Sequence, residues 1–118
     1  MAAAGDPKAG ATAFRKCQAC HAVGPGAKNK IGPELNGIVG EATAAVEGYT
    51  FSPALKEYAA ANPVWDEAKL TAWLENPKGV VAGTKMAFPG IKKPDEIANI
   101  ISYLKTFDEA GATVAPAN

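Results

Sequence analysis

The sequence has no excess of charge of one sign and no long apolar run. Its 12 basic and 12 acidic side chains give a formal net charge of zero, whereas nucleic-acid-binding domains usually carry a clear basic excess. No apolar run approaches the roughly 20 residues that a membrane-spanning helix needs. We therefore expect no nucleic-acid partner and no membrane span, and the length of 118 residues predicts one domain.

The sequence also lacks the features of a β protein, since it shows no paired strand patterns, no βαβ alternation and no internal repeat. Helix signals are present instead, and they predict an all-α fold of four or so helices. The first helix should reach about Cys20, and the last has isoleucines and leucine at helical spacing from Ile97 to Leu104. The four predicted starts are Asp6–Pro7, Ser52–Pro53, Asp66 and Pro94.

Two long stretches between these helices lack any period. Residues 22–49 and 78–93 are rich in glycine and proline, and loops of this length are uncommon inside a compact domain. Such long loops are reasonable if they wrap around a cofactor that fills the centre of the domain. We expect a domain over residues 6–107, with a flexible N-terminus at 1–5 and a frayed tail at 108–118.

The motif CQACH contains both cysteines, Cys17 and Cys20, and the only histidine, His21. A structural zinc site would need a fourth ligand. A redox dithiol of the C-x-x-C type normally accompanies a βαβ pattern, which is missing. A disulfide across so short a loop would add little stability.

Covalent attachment of haem uses all three residues of the motif. The two cysteines are three residues apart, so that on a helical turn their sulfurs face one way and can form thioethers with two vinyl groups. His21 then reaches the iron as its proximal ligand. In a chain with only two cysteines the motif is specific, and we favour haem over a dithiol or inert cysteines.

A sixth iron ligand would have to be Met86, a lysine, or none, because there is no second histidine. Met86 is the only methionine other than Met1, and it lies in the loop GTKMAFPG. A thioether ligand favours Fe(II) and raises the reduction potential. Methionine also fills gaps in cores, but its place in a loop makes that interpretation weaker than axial ligation.

With CQACH, GPELNG, VW, WLENPK and GTKMAFPGIKK in this order, the chain resembles the class I cytochromes c over about residues 5–107. The likeness is greatest to small soluble bacterial carriers of the cytochrome c2 type. The resemblance implies the cytochrome c fold around one haem c, attached through Cys17 and Cys20, with His21 and Met86 as axial ligands. It implies a non-enzymatic one-electron carrier. A haem-based sensor or peroxidase-like protein with a labile Met86 is the alternative, although no distal acid–base pair is visible.

The resemblance also implies roles for residues around the haem. The carbonyl of Pro33 would accept the N–H of His21. Tyr49 and Trp65 would donate to a buried haem propionate, although ordinary packing is the alternative for both. Thr84 would stabilise the loop of Met86. The terminal helices would cross where Gly10 and Phe14 meet Ile100 and Tyr103.

The chain departs from the family pattern at several places. Glu41 stands where relatives often carry an arginine near a propionate, and a carboxylate there would change the potential or its pH dependence. Trp73 stands where a tyrosine often reaches the methionine sulfur. Asn29 stands where relatives commonly have a histidine, and Leu55 stands where mitochondrial relatives have an asparagine. None of these changes removes an iron ligand.

The lysines are unevenly distributed. Residues 14–33 and 76–94 carry basic side chains and no acid, and they contain the predicted iron ligands. A basic rim would steer an acidic partner to the haem edge, although a solvated lysine surface is the default interpretation of such runs. The predicted docking residues are Lys16, Lys28, Lys30, Lys85, Lys92 and Lys93.

The expected partners follow from the resemblance. They are membrane redox complexes such as a cytochrome bc-type complex, a terminal oxidase or a photosynthetic reaction centre, which the protein would contact briefly as a monomer. The start MAAAGDP lacks the regions of a signal peptide, which fits a cytoplasmic protein and equally an exported protein whose leader was removed. Because haem thioethers form outside the cytoplasmic membrane in bacteria, we expect a periplasmic protein whose leader was removed.

Overall fold

The computed structural model describes residues 5–46, 48–84, 86 and 88–113. Within these residues the chain forms helices and no strand, and its only sheet-like pairs are two isolated bridges, Ala42 with Val64 and Phe107 with Thr113. The prediction of an all-α fold is confirmed. The five helices are α1 (Pro7–Ala13), α2 (Pro53–Ala61), α3 (Glu67–Glu75), α4 (Pro77–Val80) and α5 (Pro94–Leu104).

Three predicted helix starts are capped by the side chain that the sequence indicated. Asp6, Ser52 and Asp66 accept a backbone N–H of the first turn at 3.0, 3.1 and 2.8 Å. Each satisfies one donor that has no partner inside the helix. The start of α5 at Pro94 was also predicted correctly, and proline at this position has no N–H to satisfy.

The first helix is shorter than predicted. It is α-helical only to Ala13 and continues as a 3₁₀ turn over Phe14–Lys16, because the N–H of Cys17 bonds to the carbonyl of Phe14, three residues back, at 2.7 Å. A 3₁₀ turn has fewer residues per turn than an α-helix. The segment up to Cys20 therefore follows a tighter path than one continuous helix would give.

Helix α4 was not predicted, since residues 78–93 were expected to be loop throughout. Asn76–Pro77 was interpreted as the end of α3, and Asn76 is indeed the C-cap of that helix. The same pair starts the next helix, because the Asn76 side chain accepts the N–H of Gly79 at 3.1 Å and Pro77 takes the first helical position. A capping residue followed by proline is a start signal as well as a stop signal.

The terminal helices α1 and α5 cross as the resemblance predicted. Gly10 lies on the backbone of α5, where a Cβ atom would meet the carbonyl of Asn99 and lie 2.7 Å from Tyr103 Cβ. The rings of Phe14 and Tyr103 pack with centroids 5.5 Å apart. Phe14 and Ile100 are each only 1% exposed, so this crossing forms one end of the core.

The two ends of the chain are only partly described. Residues 1–4 and 114–118 lie outside the described residues. The tail was expected to fray from residue 108, but residues 108–113 form a hydrogen-bonded turn, in which Asp108 accepts the N–H groups of Ala110 and Ala112. In the described part of the chain, no helix has the length and apolar character needed to cross a membrane.

Candidate functional site

A cavity of about 370 Å³ lies between the long loops and the helices. Its volume falls in the range of small-molecule and cofactor sites. Much of its wall is apolar, with Leu35, Ile38, Phe51 and Leu74 among the side chains that face it. The wall also contains every residue predicted to bind the cofactor: Cys17, Cys20, His21, Pro33, Tyr49, Trp65, Thr84 and Met86.

His21 is held by the backbone of the first loop. Its Nδ1 lies 2.7 Å from the carbonyl oxygen of Pro33, which is the contact that the resemblance implied. A carbonyl only accepts, so Nδ1 carries the proton and Nε2 has a free lone pair. Burial lowers the pKa of His21, the charge of Lys30 acts in the same direction, and the Pro33 hydrogen bond opposes them. The neutral imidazole that results is the form that binds a metal.

Gly32 makes room for the His21 ring and was not recognised in the sequence. A Cβ atom on Gly32 would lie 2.9 Å from both ring nitrogens of His21, which is far closer than such contacts allow. The residue is also fixed by its N–H, which donates to the carbonyl of Cys20 at 2.8 Å. The only signal for this role in the sequence was the position of Gly32, directly before Pro33, whose carbonyl was expected to accept the N–H of His21.

Cys17 and Cys20 lie on the turn that follows the 3₁₀ segment. The N–H of Cys20 and that of His21 both donate to the carbonyl of Cys17, at 3.1 and 2.8 Å. The two thiols are free and half-buried. Burial raises the pKa of Cys17 to about 11, against the opposing charge of Lys16. Dithiol exchange needs a thiolate, so the environment of Cys17 disfavours the redox-dithiol interpretation.

The zinc interpretation of the same motif also finds no support in the geometry. Within the described residues, no three side chains of the His, Cys, Asp and Glu types come together as a metal-ligand group. Cys17, Cys20 and His21 all line the cavity.

Met86 lies in the second long loop and lines the same cavity as His21. Its N–H donates to the side-chain oxygen of Thr84 at 3.1 Å, so Thr84 fixes the backbone next to the methionine. The side chain is half-buried and packs against the hydrophobic core. Its neighbours Lys85 and Ala87 are outside the described residues.

Tyr49 and Trp65 both line the cavity, with different surroundings. The Tyr49 hydroxyl donates to the carbonyl of Ile31 at 2.7 Å and so joins two parts of the first loop. Trp65 is 6% exposed and packs against the rings of Tyr58 and Trp73, with centroids 5.8 and 5.5 Å away. Contact of either residue with a propionate remains a prediction.

Glu41 is the departure from the family pattern with the most unusual surroundings. It lines the cavity, and its Oε1 is the one buried side-chain oxygen or nitrogen without a hydrogen-bond partner in the described part of the chain. Burial raises the pKa of Glu41 to about 7, and the nearby acids Glu34 and Glu109 contribute to the rise. Near neutral pH this carboxyl group is therefore partly protonated.

The other departures have ordinary environments. Trp73 and Leu55 line the cavity as apolar wall, and Trp73 is 9% exposed. The side-chain oxygen of Asn29 accepts the N–H of Glu34 at 2.9 Å, a role in which the amide organises the first loop.

The predicted docking lysines differ in their exposure and in the interactions that their ammonium groups make within the chain. Lys16 forms an ion pair with Glu96 at 2.6 Å, which cancels part of its charge. The ammonium groups of Lys30 and Lys92 donate to backbone carbonyls, at 2.7 and 3.0 Å. Lys28 and Lys93 are exposed, and Lys85 lies outside the described residues.

The chain matches known proteins over nearly its whole length. The sequence profile described as "Cytochrome c" covers residues 7–108. Cytochrome c-550 of Nitrobacter winogradskyi is 49% identical over 111 residues, which are 94% of this chain and 99% of that protein. Cytochrome c2 of Agrobacterium tumefaciens is 46% identical over 100 residues, which are 85% of this chain and 90% of that protein.

Solved structures of similar proteins have the same fold. Cytochrome cH from Methylobacterium extorquens superposes with a TM-score of 0.78 at 47% identity and covers 86% of this chain and 99% of its own. Cytochrome c2 from Rhodospirillum centenum superposes with a TM-score of 0.82 at 30% identity, over 88% of this chain and 99% of its own. The predicted fold around a covalently bound haem is confirmed.

Proposed function

This chain belongs to the cytochrome c family, and we propose that it carries electrons one at a time with an iron held between His21 and Met86. Proteins of this family bind one haem c, which is attached here through Cys17 and Cys20. When bound, the haem supplies the Fe(II)/Fe(III) couple. The observation that carries the proposal is that one cavity wall contains both thiols, the only imidazole of the chain and the thioether of Met86.

His21 is prepared for the role of proximal ligand. The Pro33 carbonyl keeps the proton on Nδ1, and Nε2 is left to bind a metal. Gly32 gives the ring its place without a steric clash. Because both constraints are built into the backbone of one loop, the imidazole keeps its orientation whatever the charge of the metal.

Met86 is favoured over lysine as the distal ligand. Lys16 is the only lysine among the described residues of the cavity wall, and its ammonium group is paired with Glu96. The Met86 backbone is fixed by Thr84. Because most side chains of the wall are apolar, a change of charge at the cavity centre would rearrange few dipoles, as an efficient electron carrier requires.

A sensor or peroxidase-like function receives less support. Either would need an open distal position and, for peroxide chemistry, an acid–base pair beside it. Among the described residues of the wall, Glu41 is the only acid and His21, the proposed proximal ligand, is the only imidazole, so they offer no distal histidine–acid pair. The relatives named above are called cytochrome c-550 and cytochrome c2.

We further propose that the lysine-rich segments form a docking rim for acidic partners. These would be membrane redox complexes such as a cytochrome bc-type complex or a terminal oxidase, which the protein meets in the periplasm, where haem attachment takes place. Lys28 and Lys93 are exposed in segments free of acids. Exposed charges of one sign accelerate encounter with an oppositely charged partner, and salt reduces the effect.

Stopped-flow oxidation tests the rim with small oxidants of opposite charge. Ferricyanide, an anion, should oxidise Lys28→Glu and Lys93→Glu about threefold more slowly than the unaltered protein at low salt. Tris(phenanthroline)cobalt(III), a cation, should oxidise them faster. Lys56→Glu is the control, since Lys56 is exposed on α2. Equal effects of all three substitutions would show that the rim is not the place where electrons leave.

A further inference from the structure

Glu41 places a carboxyl group on the wall of a cavity that must also accommodate the two propionate groups of a haem. Its Oε1 is buried and has no hydrogen-bond partner among the described residues. A polar atom buried in this way is costly unless something satisfies it. The cavity that Glu41 faces takes a haem, whose two propionates are its only acidic groups.

The backbone holds Glu41 in this position. The N–H of Trp65 donates to the Glu41 carbonyl at 2.9 Å, and the N–H of Gly40 donates to the Trp65 carbonyl at 2.7 Å. The next residue, Ala42, forms a bridge with Val64. The backbone of Glu41 therefore sits in a short paired segment beside Trp65, which fixes the point on the wall from which its side chain extends.

Within the described part of the chain, no positive charge is found to compensate Glu41. The charged groups that act on it are Glu34 and Glu109, both acids. Glu34 comes from the loop before it, and Glu109 lies over Gly37, where a Cβ atom would be 2.8 Å from Glu109 Cγ. In this environment the neutral, protonated form of Glu41 is favoured, and it can donate a hydrogen bond that an ionised carboxylate cannot.

The covalent attachment determines which part of the wall receives the propionates. In haem the vinyl groups and the propionates lie on opposite edges of the porphyrin, so the propionates point away from Cys17 and Cys20. On the wall, the Ser52 hydroxyl accepts the N–H of Leu55 and keeps its own hydrogen to donate. The Tyr49 hydroxyl already donates to Ile31. Among the described residues of the wall, Glu41 is the one acid, and its buried Oε1 has no hydrogen-bond partner.

We propose that Glu41 is a proton-binding site coupled to the haem, and that its protonated carboxyl group donates a hydrogen bond to a propionate. The inference rests on the proposed function in one respect, which is that the cavity holds a haem whose iron is oxidised and reduced. Two adjacent carboxyl groups without a cation share a proton readily, because both cannot be ionised at little cost.

Electron transfer changes how tightly this proton is held. On oxidation one electron passes to an external acceptor, and the iron–porphyrin unit gains one positive charge. That charge favours the ionised form of the acid pair, so Glu41 releases its proton to water. Reduction takes up one electron and one proton again. The midpoint potential should consequently fall as the pH rises, by about 59 mV for each tenfold difference in proton affinity between the two states.

Redox titration of the holoprotein between pH 5 and pH 9 tests the proposal. We expect at least a threefold difference in proton affinity, or about 28 mV by the same constant. Glu41→Gln removes the proton site, so its potential should equal that of the unaltered protein at pH 5 and stay constant as the pH rises. Glu57→Gln removes one acid from the exposed surface of α2 and should keep the full pH dependence.

A second variant and a second readout separate the role of Glu41 from mere structure. Glu41→Asp retains a titrating group and should keep a pH-dependent potential. In the infrared difference spectrum between the oxidised and reduced forms, the carbonyl stretch of a protonated carboxylic acid should appear for the unaltered protein. It should be absent for Glu41→Gln.

Two results would overturn the proposal. One is a potential that does not depend on pH in the unaltered protein, and the other is the same pH dependence in Glu41→Gln, which would assign the proton to the propionates alone. Loss of the proposed His21 and Met86 ligation would be seen separately, as an altered absorption spectrum in every variant at every pH. Failure of the two proposals is therefore distinguishable.

Discussion

The crossing of the terminal helices and the loop around the cavity bury their apolar surface in different ways. At the crossing, α1 and α5 pack directly on each other, with Gly10 against the backbone of Asn99. In residues 22–52, apolar side chains such as Ile38 and Phe51 face the cavity instead. The first region is stabilised by contacts between protein groups, whereas the second depends on what fills the cavity.

The largest difference between the two regions should appear in native-state hydrogen exchange of the holoprotein. We expect the amides of α1 and α5 to exchange only on global unfolding. Amides of residues 36–46 and 48–52 should open at a free energy several kcal/mol lower, because this segment forms no helix and its described backbone bonds belong to isolated turns and one bridge. Mass spectrometry after peptic digestion measures both. Equal opening free energies in the two regions would contradict the claim that the loop is less stable than the crossing.

Substitution of Gly10 tests whether close backbone approach is what stabilises the crossing. Gly10→Ala should lower the free energy of unfolding by about 3 kcal/mol, since the new methyl group would meet the backbone of α5 and Tyr103. Thr12→Ala, on the exposed side of α1, should cost far less. Denaturant titration compares them, and equal losses would contradict a tight crossing at Gly10.

A smaller effect is expected from the matching substitution in the loop. Gly32→Ala would press a methyl group against the His21 ring, and because the loop can shift, we expect a loss of about 1–2 kcal/mol. The displaced ring should also change the absorption spectrum of the haem. Pro25→Ala, at an exposed position of the same loop, is the control. An unchanged spectrum in Gly32→Ala would show that the glycine does not position the histidine.

The sequence predicts the helical crossing well because its signals are local. The caps at Asp6, Ser52 and Asp66 act on the next turn of their own helices, and helical spacing of apolar residues reports which face is buried. Helix α4 was missed because one pair, Asn76–Pro77, both ends a helix and begins another. From the local sequence alone, an Asn–Pro pair that only ends a helix looks the same as one that also begins the next helix.

The cavity wall is less predictable because its contacts join distant residues. CQACH predicted Cys17, Cys20 and His21, and all three line the cavity. Nothing in the local sequence shows that Gly32 packs on the His21 ring. The resemblance identified position 41 as a departure. The surroundings of Glu41, however, come from Trp65, which bonds its backbone, and from the acids Glu34 and Glu109, and these three residues lie in other segments of the chain.

The central claim is that one iron is held between His21 and Met86 inside this cavity, and the absorption spectrum of the oxidised holoprotein tests it most directly. We predict a low-spin spectrum with the weak charge-transfer band of a methionine–iron(III) bond, and loss of that band in Met86→Ala. A high-spin spectrum without the band, or a band that survives in Met86→Ala, would contradict the account.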